Sequence, residues 1–244
     1  MSERIDRFEK KKPFLICVDS DGCALDTMVA KHMRCFGPCL VKEWGLEPWQ
    51  DAVLAQWNEM NLYTIFRGCN RFDSLVDILR QVDRQFTPVP GIEVLADWLK
   101  HTHEKSNNAL REAIREQGHT ILCKALAWSE AVNDAVSRLT MEDKLPFPHV
   151  GEGLTAAHEA ADVVVLSGAN HDALQEEWEY WGLMSDVDMI LSQEDGTKPT
   201  VLAQLLKKGY LPDHVLMMGD APGDNTAAVR TGVFFYPVRV RWEG

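Results

Sequence analysis

Two aspartates one residue apart, Asp19 and Asp21, follow the apolar run Phe14-Leu-Ile-Cys-Val18 and precede Gly22. A strand turns alternate residues to the same side, so both carboxylates would face one way, and Gly22 lets the chain bend away. Repulsion and loss of water penalise two ionised carboxylates held so close, a cost that a bound cation offsets. The pattern recurs where Val215-Leu-Met-Met-Gly219 runs into Asp220 and, past a Gly/Pro turn, Asp224. An isolated Asp-x-Asp-Gly reads as a solvated strand end; two acidic pairs at two strand ends read as a site. If both strands lie parallel in one sheet, their carboxyl ends share the edge where open α/β sheets place ligands. The acids then converge on one hard cation.

The elements that must position these acids alternate in the second half of the chain. Asp162-Val-Val-Val-Leu-Ser167 reads as a strand, and His171 to Trp181 as a helix closed by Gly182. A strand over Val187–Leu191 follows, then a helix that opens with Pro199 and stops near Gly209. The Val215 strand leads to a helix from about Asn225 to Thr231, and Val233 to Val240 reads as a last strand. Apolar strands that do not alternate, separated by helices, predict an α/β fold: a Rossmann-like parallel sheet with helices on both faces.

From about Thr27 to Leu145 the periodicity is helical, over Met28–Trp44, Gln50–Tyr63, Ser74–Val82, Ile92–His103, Asn107–Gln117 and Ser129–Leu139. The expected organisation is a discontinuous core, residues 1–26 and 146–244, with an all-helical cap of residues 27–145 inserted after the first strand and set above its active edge. Pro146-Phe147-Pro148 is the expected return hinge.

Four elements in order now resemble the haloacid dehalogenase superfamily of aspartate-nucleophile phosphotransferases with a helical cap. They are Asp19-Ser-Asp21-Gly22, Ser167 ending its strand, Lys198 before Pro199, and Gly219-Asp220 with Asp224. The cap resembles the family only in position and helical character. The resemblance implies that Asp19 is the nucleophile, forming an aspartyl-phosphate that splits one displacement into two. Asp21 is then the general acid and later the base. Ser167 binds a phosphoryl oxygen, and Lys198 offsets the charge shared by nucleophile and transferred group. Asp19, Asp220, Asp224 and the backbone carbonyl of Asp21 would ligate Mg2+, a hard ion suited to oxygen donors. Asn170 and Asn225 serve equally well as site residues or helix caps. Cys23 departs from the family pattern, which carries threonine there; a thiol donates a weaker hydrogen bond than a hydroxyl.

Substrate choice would lie in the cap. The segment Tyr63–Phe72 carries Arg67 and Arg71, which could meet a second anionic group or sugar hydroxyls, or could pair with nearby acids such as Asp73 and Asp77. The expected activity is a Mg2+-dependent phosphatase acting on a small soluble phosphorylated metabolite. A phosphomutase using the same intermediate is the rival enzyme, and a catalytically idle phospho-ligand-binding protein the rival from another class.

A net charge of −12 and a pI near 5.1 argue against nucleic acid or an anionic membrane as partner. No apolar run is long enough to span a bilayer, and the charged start lacks the apolar core of a secretory signal, so the expected compartment is the cytoplasm. Six cysteines without paired zinc spacings are expected to be free thiols. The pair His101 and His103 reads as a solvated helix end. Oligomeric state leaves no trace in the sequence.

Overall fold

The computed structural model describes residues 2–238, which fall into two compact units. One holds the chain up to Met28 and from Thr140 onward; the other is Val29–Leu139.

The first unit opens with α1 (Glu3–Arg7) and β1 (Phe14–Val18). The helical unit then supplies α2 (Met28–Lys31, reaching back to Met28), α3 (Gly37–Trp44), α4 (Gln50–Tyr63), α5 (Arg71–Gln85), α6 (Ile92–His101), α7 (Asn107–Gln117) and α8 (Thr120–Ser137). After the chain returns come α9 (Val150–Ala160), β2 (Ala161–Leu166), α10 (His171–Tyr180), β3 (Met189–Leu191), α11 (Lys198–Leu206), β4 (Val215–Gly219), α12 (Pro222–Thr231) and β5 (Phe234–Pro237).

All pairings among the described strands are parallel, in the order β3-β2-β1-β4-β5. The fold is thus the Rossmann-like α/β arrangement, and every residue of β2 is buried because both faces of the sheet are covered. Its alternate residues go to different cores. Val164 and Leu166 join Leu15, Cys17 and Met217 against α1, α11 and α12, while Val163 and Val165 join Leu154 of α9 and Leu174 and Trp178 of α10. The order reverses at β1, with β2 and β3 stacked to one side and β4 and β5 to the other. Loops leaving the carboxyl ends of β1 and β4 therefore part and leave a crevice between them.

The helical unit is built around a core that includes Trp57, Phe72, Trp98 and Trp128. The Trp57 and Trp128 rings meet edge to face with centroids 5.9 Å apart, a favoured aromatic geometry. Residues His32–Phe36 form a π-helical turn between α2 and α3, within the single helix expected over Met28–Trp44.

Several boundaries differ from the sequence expectation for identifiable reasons. Helix α9 was not expected: Gly151 and Gly153 lower its helical propensity, yet Leu154 packs onto the sheet and tertiary burial wins. Helix α8 starts at Thr120 rather than Ser129. Helix α12 starts at Pro222, not Asn225, because proline is favoured in a first turn. Strand β3 is short, beginning at Met189, and the expected last strand over Val233–Val240 is β5 as far as it is described, residues 239 and 240 lying outside the described residues. Among the described residues no helix is long and apolar enough to cross a membrane.

Candidate active site

Asp19 follows the last residue of β1, and its N–H donates to the Met218 carbonyl of β4 at 3.0 Å. Val18 stands level with Met218 on one side and Val165 on the other. Ser167 and Asp220 thus leave the same sheet edge as Asp19, one from each neighbouring strand.

Carboxylate oxygens of Asp19, Asp220 and Asp224 lie within 4.8 Å of one another, so residues about two hundred positions apart in sequence form one acidic cluster. Helix α12 brings in Asp224: as the third residue of the helix it accepts from the Ala221 N–H at 3.1 Å and is fully buried. Asp224 therefore sits in the first helical turn and not in the preceding loop.

Lys198 opens α11 and reaches back to this cluster. Its ammonium lies 2.9 Å from Asp19 Oδ1 and 2.5 Å from Asp224 Oδ1. Burial works to lower the Lys198 pKa, and the two carboxylates more than reverse it, leaving the group firmly charged. Asp19 is 5 % exposed, and burial pushes its carboxyl up to about 7 against the pull of Lys198. Asp224 is shifted upward by burial as well. The all-oxygen donor set of these three carboxylates fits a hard divalent ion such as Mg2+.

Residues 20–27 form a tight turn over this edge. Gly22 has φ 82°, a left-handed conformation that glycine adopts without strain. The Ser20 carbonyl accepts from the N–H groups of Ala24 at 3.0 Å and Leu25 at 2.9 Å. The Asp21 carboxyl accepts from the Thr27 hydroxyl at 2.5 Å and is half-buried. Ser167 is buried at the end of β2, where its oxygen accepts from the Ala169 N–H at 3.2 Å.

Residues 69–238 match the haloacid dehalogenase-like hydrolase family, about seven tenths of the chain. The chain belongs to that family. Solved structures that share the fold include a haloacid dehalogenase-like hydrolase from Streptococcus pneumoniae, 13 % identical, with a TM-score of 0.54 over 92 % of this chain and 83 % of that one. A protein described as a candidate beta-phosphoglucomutase from Bacteroides vulgatus is 17 % identical, with a TM-score of 0.54 over 97 % of this chain and 82 % of that one. A candidate phosphatase from Clostridium difficile is 14 % identical, with a TM-score of 0.53 over 93 % and 86 %. Comparison with curated proteins returns no match.

Several of the hydrolase's other candidate residues have partners of their own. Arg67 is buried in the helical unit and donates to the Leu62 carbonyl at 3.1 Å. Arg71, the first residue of α5 rather than part of a turn, donates to Ser129 and to Asn133 Oδ1 at 2.6 Å, and its guanidinium lies over the Phe36 ring. Asp73, one of the acids left open as a partner for these arginines, pairs with Lys105 at 2.6 Å. Asn170 caps α10, accepting from Asp172 and Ala173, and Asn225 lies exposed within α12. His101 is exposed and lies 3.4 Å from Asp97, and all six cysteines are free.

Sequence reasoning gave no role to Thr27 or Trp178. Thr27 supplies Asp21 with a hydroxyl that Cys23 cannot, and its place six residues on carries no motif. The Trp178 indole donates to Ser20 Oγ at 3.0 Å from 158 residues away, a contact that only the sheet order makes.

Proposed function

We propose that this hydrolase is a Mg2+-dependent phosphatase that cleaves a small phosphorylated metabolite through an aspartyl-phosphate on Asp19. The observation that carries the reading is the convergence of Asp19, Asp220 and Asp224 with the Lys198 ammonium between two of them. Packing alone gives no reason to gather three acids at the carboxyl edge of a sheet.

In this reading an Asp19 carboxylate oxygen attacks phosphorus, the bond from phosphorus to the ester oxygen breaks, and Asp21 delivers its proton to the departing alkoxide. Asp21, now ionised, takes a proton from water as that water attacks the phosphorus of the aspartyl-phosphate. Asp19 is released, and the products are an alcohol and inorganic phosphate. The Ser167 hydroxyl donates to a phosphoryl oxygen, and Lys198 lowers the negative charge that accumulates as nucleophile and phosphoryl group approach. Asp19, Asp220, Asp224 and the Asp21 carbonyl would hold Mg2+, which supplies the positive charge that keeps Asp19 ionised and neutralises the phosphoryl oxygens. The helical unit would act as the cap that selects the substrate.

A panel of phosphate monoesters assayed with and without Mg2+ tests the reading, with Asp19→Asn as the nucleophile-free control. Metal-stimulated release of phosphate that this substitution abolishes is expected; full activity in the variant rejects the mechanism. The same residues would serve a phosphomutase, the activity named for the Bacteroides relative. Phosphorus NMR separates the two, because a mutase returns the phosphoryl group and frees little phosphate.

A further inference from the structure

The geometry points to Trp178 as a positioning residue that acts through Ser20 to set the nucleophile and acid carboxyls relative to each other, an inference that rests on the function proposed above. Ser20 stands between the two acids and is fully buried. Its N–H donates to Asp19 Oδ1 at 2.8 Å, and its carbonyl receives the N–H groups that close the turn carrying Asp21. Rotation of this one residue would move both carboxyls. Its side chain has a single atom beyond Cβ, and that atom accepts from Trp178 Nε1 at 3.0 Å. Indole is a donor only, so the direction of this bond is not in question.

The other end of the bond is rigid. Trp178 is fully buried on α10 among Val163, Val165 and Leu174, and α10 begins at the Asn170 cap just after Ser167. The preceding residue holds the far side of the same turn. The Glu177 carboxylate meets the Lys144 ammonium at 3.0 Å with both side chains buried. Next to Lys144, the Leu145 carbonyl accepts from the Asp26 N–H at 2.7 Å, and the Phe147 N–H donates to Ala24 at 3.0 Å. Two consecutive residues of one helix thus restrain the acid-bearing turn, one at its start and one through the return segment at its end. Phenylalanine would keep an aromatic ring in this core, smaller by the pyrrole part of the indole, but only an indole N–H at this position orients the Ser20 hydroxyl.

Ser20→Ala, Trp178→Phe and the double variant, assayed with Mg2+ and the best ester from the panel, form the test. Each single change should lower kcat about tenfold, as small misplacements of reacting groups do. KM should stay within about twofold, because the bond touches no substrate. The double variant should be no slower than either single one, since all three lose the same bond. Unchanged kcat, with only a lower melting temperature, makes Trp178 a packing residue and overturns the inference. Losses that multiply in the double variant overturn it too. Ser20→Ala removes one atom and decides the matter alone if Trp178→Phe does not fold. A wild-type chain that hydrolyses no ester, or an Asp19→Asn variant that remains active, instead brings down the proposed function and this inference with it.

Discussion

Gly219 and Asp224 interlock: a Cβ on Gly219 would lie 2.3 Å from the Asp224 carboxyl carbon and from its Oδ2. The last residue of β4 must lack a side chain so that the first turn of α12 can press its carboxylate against the strand end. Gly219→Ala should therefore push Asp224 away from Lys198 and open the acid cluster. Overpacking of this kind costs about 1–3 kcal/mol. The half-saturating Mg2+ concentration should rise at least about tenfold, in line with losses on disturbing groups that orient a metal site. A titration of activity against Mg2+ checks this, and an unchanged midpoint would show that the cluster tolerates the shift.

Removing metal should make stability fall as pH rises. The Asp19 carboxyl is pushed up to about 7 in the folded chain by burial, against about 4 in an unfolded one. Between those values the metal-free folded state holds a proton that the unfolded state has lost, so stability declines with rising pH. Asp188 and Asp195 act in the opposite sense: burial raises each, but donors such as the Val163 N–H on Asp188 and Ser2 on Asp195 pull both below the usual range. Their contribution is lost only as pH drops below about 4. Melting temperatures in chelator should fall between pH 5 and pH 8, and Mg2+ should flatten the curve. Asp19→Asn, which cannot ionise, should melt above wild type in chelator at pH 8. Parallel curves with and without Mg2+ would contradict the placement of a cation on Asp19.

Thr27 should matter more to turnover than Cys23. The Thr27 hydroxyl is fully buried and donates to Asp21 Oδ1 at 2.5 Å, whereas the Cys23 thiol is held protonated by burial. Thr27→Val keeps the shape and loses the donor, so kcat should fall about ten- to a hundredfold, within the range that acid–base groups contribute. Cys23→Thr should change kcat far less, because the Thr27 hydroxyl already donates to Asp21. The reverse ranking would mean that Asp21 takes its orientation from the position the family pattern names.

The acids were legible in the sequence because strand ends mark themselves: an apolar run that stops at charged residues gives both the element and its direction. Lys198 was legible only as one of four elements in order that resemble the family; alone, a lysine before a proline that opens a helix reads as solvated. The contacts that hold these groups were not. Trp178 lies on a helix face that looks like any amphipathic face, and only the order β3-β2-β1-β4-β5 brings it under Ser20. The arginines show the converse. For Arg71 the sequence left an anion and nearby acids such as Asp73 both open, because which helix faces it is set by tertiary packing; Ser129 and Asn133 of α8 receive its guanidinium.

Lys144 and Glu177 should be costly to separate and cheap to replace together. Their side chains are 9 % and 4 % exposed, so either one alone would be a charge held out of water without its partner. Lys144→Met or Glu177→Leu alone should cost about 3–5 kcal/mol, the usual penalty for breaking a buried pair. The double variant should lie within about 1 kcal/mol of wild type, because apolar side chains of similar volume need no compensating charge. Urea denaturation of the four proteins measures the coupling. If instead the single losses add, the two groups do not meet in solution, and the return segment at Lys144 must be fastened to α10 by packing alone.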